Sequence, residues 1–563
     1  MFSKPAIRIS LILLLYAVLA VAFTWPLAAN FSKSYIGYVK TGDSSQYIWN
    51  IWHFSHCIKH GLNPFYTHYL FYPEGASLLM HAYTIIAGLL NLALNNPVLS
   101  LNTVLIASFI FSAYGMFRLC RHFEVNFFLS ISAGFIFSFF PYKTAHLSEH
   151  FNLELTACLP YFILFFIKTF ELKEGHFFPA LKSKINLPWL VLTAIICLLC
   201  DYYYCVYLLY FSIIYCTVFY LIPVIIKWSF LKRSVIVCLI LFAGHFIIRG
   251  LIISGVDDKG ALWWSGDLLA FFIPSHFSLA YSPLESYINS VSKIFRYPES
   301  MEFIMFIGFA LMALYFIAIA NKNKVNNRIL QVFTISSLIF LLMCFPEVKI
   351  AGKTVFYNIT GLIYFIPFLN NVRTPPRYEL MFVLLSLPWL MAKLSFLMKN
   401  SRLNLIIVSL IAITFIEFIP KPYSVITKSD VPTVYRELAK LPAGSLLNIP
   451  AGFRDGFEEY GTFNTNNFLY QTIHQKPITG GYLSRVSRET KLSFKTNPTY
   501  NEIFDLQKNG KTNTINNFNI PVKYIVVEPQ YRKSFEPYLD TALRKRDISK
   551  KEFNNYLLYI LNR

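Results

Sequence analysis

Residues 202–226 read YYYCVYLLYFSIIYCTVFYLIPVII, a run without a charged side chain. An α-helix needs about 20 consecutive apolar residues to cross the hydrocarbon core of a bilayer, and this run is long enough. Further apolar runs of this kind follow one another along the chain, which predicts a polytopic α-helical membrane protein. The other predicted spans are 9–27, 99–117, 126–140, 151–168, 187–200, 234–253, 302–320, 329–346, 378–397 and 403–420.

The composition of the whole chain agrees with this class. Of its 563 residues, 55% are hydrophobic and 14% are charged, whereas soluble globular proteins carry about 25% charged residues. In a soluble protein the formal net charge of +20 would indicate binding to nucleic acid. Here lysines and arginines of cytoplasmic loops explain it. We therefore predict the lipid bilayer as a partner and no nucleic acid, and a large soluble enzyme is disfavoured.

Basic residues determine the predicted orientation of the spans. If residues 76–95 do not cross the membrane, the short loops rich in lysine and arginine, among them those with Arg8, Arg118 and Arg121, all lie on the cytoplasmic side. We therefore predict about eleven transmembrane helices, a cytoplasmic N-terminus, and residues 76–95 lying in or dipping into the outer interface. The first run is predicted to stay as an uncleaved helix, although a cleaved signal peptide has the same pattern.

The composition changes after residue 420. Residues 421–563 carry 21 basic and 13 acidic residues and only short apolar runs. Strands are predicted at 445–449, 522–527 and 555–561, and a short amphipathic helix is predicted at 433–440. The chain is therefore predicted to divide into a transmembrane domain, 1–420, with a large first outer loop, 28–98, and a C-terminal extracytoplasmic α/β domain, 421–563.

The first outer loop contains TGDSSQYIWNIW at residues 41–52, and Asp43 is the only acidic residue between the first span and Glu74. The apolar residues that follow recur at helical spacing, which predicts an amphipathic helix on the membrane with Asp43 near its N-terminus. A carboxylate at that place can cap the helix. It can also act as a general base that takes a proton from an acceptor hydroxyl. The sequence leaves both roles open.

Ionisable residues in and beside the spans crowd toward the outer side. Glu154 and Arg249 lie in the outer halves of their spans, and Lys143, His146, Glu149 and His150 fill an outer turn. Charged groups within a membrane are energetically costly and normally face a polar cavity. A cavity with both cations and carboxylates would suit a phosphate-bearing lipid. Interfacial solvation of long side chains is the simpler alternative.

Two further outer segments contain candidate residues. Arg373 and Arg377 flank a Pro-Pro pair at the outer mouth of a span, where arginine can bind phosphate bidentately, although anchoring to lipid headgroups also explains them. His276 lies in the second large outer loop, where a single histidine is more often structural. The chain has no nucleotide-binding Gly-rich loop, no His-Glu-x-x-His and no Asp-x-Asp motif. These absences disfavour nucleotide-driven transport, zinc proteolysis and metal-bound nucleotide-sugar donors.

Six sets of residues, taken together and in order, carry a resemblance to a known group of proteins. They are Gly42–Trp52, Asn63–Phe65 with Tyr72–Gly75, Phe139–His150, Asp267–Ser275, Arg373–Arg377 and Gly481–Arg485. In these stretches the chain resembles bacterial polytopic membrane proteins of the GT-C glycosyltransferase superfamily, in particular the YfhO-like group. The resemblance implies a GT-C fold, a polyprenyl-phosphate sugar donor, an inverting transfer on the outer face, and location in the inner (cytoplasmic) membrane of a bacterium.

The resemblance also implies roles for individual residues. Asp43 would be the catalytic base, and Arg373 and Arg377 would hold the donor phosphate. Many members have an adjacent acidic pair at the loop motif, whereas this chain has one acidic residue there. This difference leaves dependence on a divalent metal open: a metal is not indicated by the sequence, and no cofactor is assigned.

The leading hypothesis is a membrane glycosyltransferase that moves a sugar from a polyprenyl-phosphate donor to an extracytoplasmic glycan, lipid or protein. Lys143 would join the two arginines in stabilising the departing phosphate. The remaining candidates for the site are His146, His150, Glu154, Arg249 and His276. Two alternatives stay open, a transporter (flippase) of lipid-linked glycans and a non-catalytic protein of envelope assembly. A transporter predicts charges through the depth of the bundle and inverted repeats.

Overall fold

The computed structural model describes residues 4–38, 42–173, 176–255, 260–295, 301–322, 325–366, 369, 372–510 and 518–562. The helices in chain order are α1 Lys4–Phe23, α2 Ser44–Lys59, α3 Ile85–Leu94, α4 Pro97–His122, α5 Phe127–Phe139, α6 Pro141–His146, α7 Cys158–Thr169, α8 Leu187–Cys200, α9 Tyr202–Ile226, α10 Phe230–Ile253, α11 Glu285–Ser292, α12 Phe309–Ala320, α13 Arg328–Met343, α14 Glu379–Leu397, α15 Ser401–Phe418, α16 Thr433–Lys440, α17 Asn467–His474, α18 Arg488–Thr496, α19 Pro498–Asn509 and α20 Arg532–Ala542.

The strands are short and most of them form small sheets. In chain order they are β1 Ser34–Ile36, β2 Tyr66–Thr67, β3 Ala76–Ser77, β4 Phe170–Glu171, β5 Ala180–Leu181, β6 Glu347–Ile350, β7 Lys353–Tyr357, β8 Val425–Thr427, β9 Leu446–Ile449, β10 Gly452–Arg454, β11 Glu459–Gly461, β12 Gly481–Tyr482, β13 Tyr524–Val527, β14 Ile548–Phe553 and β15 Tyr556–Leu561.

The chain folds into two compact units. The first unit consists of Met1–Trp25, Leu105–Leu147 and Leu153–Pro422, and the second of Pro26–Val104, Ser148–Asn152 and Tyr423–Arg563. The first outer loop therefore groups with the C-terminal residues, whereas the sequence had assigned it to the transmembrane domain. The predicted division into a membrane domain and an extracytoplasmic domain stays a prediction.

Six helices are long and apolar enough to cross a membrane over the residues that the structure describes, namely α1, α4, α9, α10, α14 together with the turn before it, and α15. They confirm the predicted class, a polytopic α-helical membrane protein. The other five predicted spans correspond to α5, α7, α8, α12 and α13, which have 12 to 16 residues. Helices of this length extend about 18 to 24 Å, less than the hydrocarbon thickness of about 30 Å. The number eleven stays a prediction.

The segment predicted to lie in the outer interface, 76–95, contains β3 and α3. The helix has 10 residues, which at 1.5 Å per residue extend about 15 Å. This is about half the thickness of the hydrocarbon core, so α3 cannot cross a bilayer as a single helix.

The start of α12 differs from the predicted span, which begins at residue 302. Gly308 has a φ of +95°, which is incompatible with a right-handed helix, so α12 begins at the next residue, Phe309. The carboxylate of Glu417, at the end of α15, accepts hydrogen bonds from the amides of Phe309 and Ala310, both at 3.0 Å, and from the Tyr281 hydroxyl at 2.5 Å. A negative charge at the N-terminus of a helix is favourable, because it satisfies free N–H groups and opposes the helix dipole.

The second unit contains a four-stranded sheet in the order β14-β15-β13-β9. Strand β13 pairs antiparallel with β15 and parallel with β9, so that Ile525 lies between Leu447 and Tyr559. All three side chains are buried. The sheet contains the three strands predicted from the sequence, and α16 coincides with the predicted helix 433–440. The short apolar runs bounded by turn residues in this part of the chain therefore predicted these elements correctly.

Helix α2 differs from its prediction as an amphipathic helix on the membrane surface. Almost every side chain from Ser44 to Cys57 is buried, including the polar side of the helix. Gln46 donates a hydrogen bond to the carbonyl of Tyr482 at 2.6 Å, and Trp49 donates one from its indole to Gln471 at 2.6 Å. Contacts with the C-terminal residues thus cover the face that the sequence assigned to solvent.

A second set of contacts ties the first loop into the same unit. Strands β1 and β8 pair antiparallel, with Tyr35 opposite Ile426. The amide of Asn102 donates hydrogen bonds to the carbonyls of Phe31 and Ser34, at 2.7 and 2.8 Å. Backbone groups of the first loop are therefore satisfied within this unit, as buried backbone groups require.

Candidate functional site

Asp43 follows a glycine that the backbone requires. Gly42 has a φ of +85°, a left-handed conformation that glycine adopts without strain. A Cβ atom added to Gly42 would lie 3.0 Å from Cγ of Glu149. The chain therefore passes close to Glu149 and turns directly into α2, which places Asp43 at the start of that helix.

Asp43 occupies the N-cap position of α2, but its carboxylate makes no capping hydrogen bond. A capping side chain accepts a hydrogen bond from the second or third N–H of the helix. The Oδ2 atom of Asp43 instead lies 3.8 Å from Nε2 of His150. The sequence left two roles open for Asp43, helix capping and general base catalysis. The Asp43 side chain does not cap α2 in this geometry.

The segment that holds His150 lies along the first turns of α2. The Ser44 hydroxyl donates a hydrogen bond to the carbonyl of Ser148 at 2.9 Å. The Tyr47 hydroxyl donates one to the side-chain oxygen of Asn152, and the ring of Tyr47 lies 5.7 Å from that of Phe151. These contacts on both sides of His150 determine where its imidazole stands relative to Asp43.

The Asp43 and His150 side chains remain partly accessible. Their exposed fractions are 18% and 20%, while almost all of α2 behind them is buried. A carboxylate beside an imidazole can accept a proton and be oriented by its neighbour, which is the arrangement that general base catalysis requires. This part of the second unit is therefore the candidate catalytic position.

Lys143 and Glu154 form a buried ion pair in the first unit. The Nζ atom of Lys143 lies 3.2 Å from Oε2 of Glu154, and both side chains are completely buried. The ammonium group also donates hydrogen bonds to the Glu154 carbonyl at 2.7 Å and to the Thr156 hydroxyl at 2.9 Å, and it lies over the ring of Phe109. The ammonium group is thus surrounded by partners from its own unit.

His146 and Arg377 meet at a third residue, Glu302. The guanidinium of Arg377 binds both carboxylate oxygens of Glu302, with Nε 3.0 Å from Oε2, and its other hydrogen bond joins Nη2 to Oε1. Nε2 of His146 lies 3.3 Å from Oε2 of the same carboxylate, and its Nδ1 is 2.8 Å from the carbonyl of Tyr142. The guanidinium also stacks over Tyr203. We call this group, together with the Lys143–Glu154 pair, the buried charge cluster of the first unit.

The structure places the other three predicted residues on other segments of the first unit. Arg373 is half-buried before the Pro-Pro pair, four residues ahead of Arg377. Arg249 is exposed on α10, near Tyr357. His276 is half-buried, with its ring 4.3 Å from that of Phe277. A role for any of these residues in holding a phosphate stays a prediction.

Two residues that were not assigned to the site from the sequence also contact it. Glu302 joins His146 to Arg377, and Glu149 packs against Gly42 next to Asp43. Glu149 was noted in the outer turn without a role, and Glu302 could have been noted in the same way as Glu154, because it is an acidic residue at the start of a predicted span. The sequence shows which ionisable residues lie in or beside apolar spans, but only the folded structure shows which of them form pairs.

Possible metal ligands in the described part of each unit do not form a complete set. Inside either unit taken by itself, the described residues bring no three His, Cys, Asp or Glu ligand atoms within 4.8 Å of one another. Asp43 and His150 offer two such side chains in the second unit. Dependence on a divalent metal therefore stays open, as it was from the sequence, and no ligand set is assigned.

Among solved structures, the chain is similar to the oligosaccharyltransferase of Archaeoglobus fulgidus in its apo form, with 10% sequence identity and a TM-score of 0.38, over 96% of this chain and 72% of that chain. No protein-family model matches the chain, and no curated protein matches it.

Proposed function

We propose that the protein is a membrane glycosyltransferase that transfers a sugar from a polyprenyl-phosphate donor to an extracytoplasmic acceptor, with Asp43 as the general base. The observation that carries the proposal is the Asp43 carboxylate, which stands at a helix N-terminus without capping it and faces His150 at 3.8 Å. The nature of the donor and the location in a bacterial inner membrane rest on the family resemblance of the sequence.

In this mechanism the Asp43 carboxylate accepts the proton of an acceptor hydroxyl as the hydroxyl oxygen attacks the anomeric carbon of the sugar. The bond from that carbon to the lipid phosphate breaks on the opposite face, so the configuration inverts and the phosphate leaves with the electron pair. His150 acts as a positioning residue, because its ring limits the rotation of the carboxylate. A positioned general base contributes about 10²- to 10⁴-fold to the rate.

Positive charge near the leaving phosphate would complete the mechanism. Arg373, Arg377 and Lys143 keep this role as part of the proposal. Arg377 and Lys143 are already paired with Glu302 and Glu154, so either residue would have to share its donors with the phosphate. Arg377 retains Nη1 outside its two hydrogen bonds to Glu302, and that atom is the donor we assign to the substrate.

The test is the substitution Asp43→Asn in full-length protein, returned to a host that lacks the gene. We expect loss of transfer by at least about 100-fold, measured by mass spectrometry of envelope glycans and of lipid-linked precursors. Asp505→Asn is the matched control, because Asp505 is an exposed carboxylate on α19 of the same unit. Unchanged transfer by a normally inserted Asp43→Asn protein would refute the role of Asp43.

The same measurement separates the two alternatives. A transporter of lipid-linked glycans predicts that precursors accumulate in the host without the gene and that Asp43→Asn clears them as well as the unaltered protein does. A protein of envelope assembly predicts that the set of glycans does not change at all. A missing sugar that returns with Asp505→Asn and not with Asp43→Asn supports the enzyme.

A further inference from the structure

A cavity of about 640 Å³ lies between α1, α4 and the start of α5, all within the first unit. Its walls combine two kinds of side chain, arginines and apolar or aromatic groups. The lining residues are Arg8, Ile9, Ile12, Tyr114, Phe117, Arg118, Arg121 and Phe127. None of them belongs to the candidate catalytic position or to the buried charge cluster.

The cavity has a strong positive charge that the protein does not neutralise. Arg8, Arg118 and Arg121 all line it, and no lining residue is acidic. Among the described residues no ion pair joins any of these three arginines to a carboxylate. Lys168, on α7, adds a further positive charge near Arg118. Three guanidinium groups around one space repel each other, so an anion bound between them would relieve that repulsion.

The protein holds these guanidinium groups in place without neutralising them. Arg118 and Arg121 are three residues apart on α4 and therefore lie on one face of the helix. The guanidinium of Arg8 lies 3.9 Å from the ring centroid of Phe127, and Arg121 donates a hydrogen bond to the carbonyl of Val125. An arginine ordered in this way loses less entropy when it binds an anion.

The apolar half of the cavity continues along the helices. Ile12 and Phe117 belong to a packed cluster that also contains Tyr16, Ala113 and Tyr114. Ile9 is 42% exposed at the same wall. A ligand that places its anionic group among the arginines would therefore place an adjoining hydrocarbon chain against isoleucine and phenylalanine.

We propose that this cavity is a binding site for an anionic glycerophospholipid, with its phosphate between Arg8, Arg118 and Arg121 and an acyl chain along Ile9, Ile12 and Phe117. Arginine binds phosphate oxygens through paired N–H donors, and basic pockets between transmembrane helices on the cytoplasmic side are suited to anionic headgroups. The predicted orientation places this end of α1 and α4 at the cytoplasmic leaflet. The site is independent of the proposed transfer reaction.

The test uses the purified full-length protein in a mild detergent, with bound lipid counted by native mass spectrometry. Dioleoyl phosphatidylglycerol and dioleoyl phosphatidylcholine are added separately, because they share their acyl chains and differ in net headgroup charge. We expect phosphatidylglycerol to bind and phosphatidylcholine to bind at least about 10-fold more weakly. Each arginine near an anionic headgroup contributes about 5-fold in affinity, so the double variant Arg118→Gln/Arg121→Gln should weaken phosphatidylglycerol by about 30-fold.

Three further measurements separate this site from general basicity, test its apolar wall and separate it from a site for free anions. Arg402→Gln changes an exposed arginine at the start of α15, outside the cavity, and should leave binding unchanged. Ile9→Asn changes an exposed position of the apolar wall and should weaken phosphatidylglycerol without unfolding the protein. Glycerol phosphate, which has the anionic headgroup without acyl chains, should not compete at concentrations equal to the lipid.

Three results would overturn the proposal. Equal binding of the two lipids would remove the role of headgroup charge. An Arg402→Gln loss as large as that of the double variant would show non-specific attraction. Effective competition by glycerol phosphate would show a site for soluble anions and not for a lipid.

Discussion

Substitution of Lys143 by methionine should destabilise the protein strongly, because it removes the counter-ion of the buried Glu154 carboxylate. Met has a similar length but no charge, so the Lys143→Met protein retains the Glu154 carboxylate in a completely buried position without its counter-ion. The ammonium contacts to the Glu154 carbonyl and the Thr156 hydroxyl are lost at the same time. The buried pair thus becomes a buried unpaired charge.

The magnitude follows from the distance and the burial. Two unit charges separated by 3.2 Å attract each other by about 5 kcal/mol at an effective dielectric constant of about 20. Removal of one partner from a buried pair typically lowers the free energy of unfolding by about 3 to 5 kcal/mol. Replacing both charged groups, in Lys143→Met/Glu154→Gln, should return the protein to within about 2 kcal/mol of the original, because no uncompensated charge remains.

The assay is reversible unfolding of the purified protein in mixed micelles, followed by tryptophan fluorescence as the fraction of denaturing detergent rises. The two single variants and the double variant form a double-mutant cycle, and the coupling between the two changes should be about 3 kcal/mol or more. Lys182→Met is the matched control, since Lys182 is exposed in the same unit. That control should change the free energy of unfolding by less than about 0.5 kcal/mol.

Two outcomes would refute this reasoning. One is a Lys143→Met protein as stable as the Lys182→Met control. The other is a double variant no more stable than the single variants, since coupling would then be absent. The double variant also tests the proposed phosphate contact, because full sugar transfer by a stable double variant would show that Lys143 does not hold the donor.

Three further predictions concern other buried groups. Burial lowers the pKa of His53, His81 and His474 to about 3, against about 6.5 in the unfolded chain. As the pH falls from 6.5 to 5, only the unfolded state takes up protons, so each histidine should reduce the stability of the second unit by about 2 kcal/mol. Equal melting temperatures at pH 7 and pH 5 would contradict this. Glu417→Ala removes the acceptor at the N-terminus of α12 and should lower the free energy of unfolding by about 1 to 3 kcal/mol, with Glu417→Gln losing less in the same micelle titration. If the alanine variant is as stable as the original, that carboxylate does not support the helix. Glu379 is fully buried, and no described group hydrogen-bonds to its carboxyl oxygens, so Glu379→Leu should raise the stability by about 1 to 3 kcal/mol. A lower stability would disprove that expectation.

Much of the helical architecture could be predicted from local patterns. A long apolar run such as that of α9 has one stable solution in a bilayer, because only a helix satisfies its backbone hydrogen bonds without water. The strands β9, β13 and β15 were predictable for a similar reason, since each is a short apolar run bounded by turn residues. The order of these strands in the sheet was not predictable, because β9 and β13 lie far apart in the chain.

Helix α2 shows where local patterns fail. Its apolar side was recognised correctly, but its polar side also became buried. Asn50 and His81 lie together, with Oδ1 of Asn50 3.2 Å from Nε2 of His81, and Gln46 reaches the backbone of Tyr482. Polar residues are stable in a protein interior when they are hydrogen-bonded, and the partners that make this so are remote in sequence.

For the candidate site as well, some features could be predicted from the sequence and others could not. The sequence by itself determined which residues to consider, because in a chain with 14% charged residues each charge in or beside an apolar span is costly and therefore informative. It also determined that Asp43 precedes a helix. Only the tertiary structure decided the partners, placing His150 beside Asp43 and Glu302 between His146 and Arg377. The physical reason is that hydropathy is a local property, whereas the free energy of a buried charge depends on groups that only folding brings within a few ångströms.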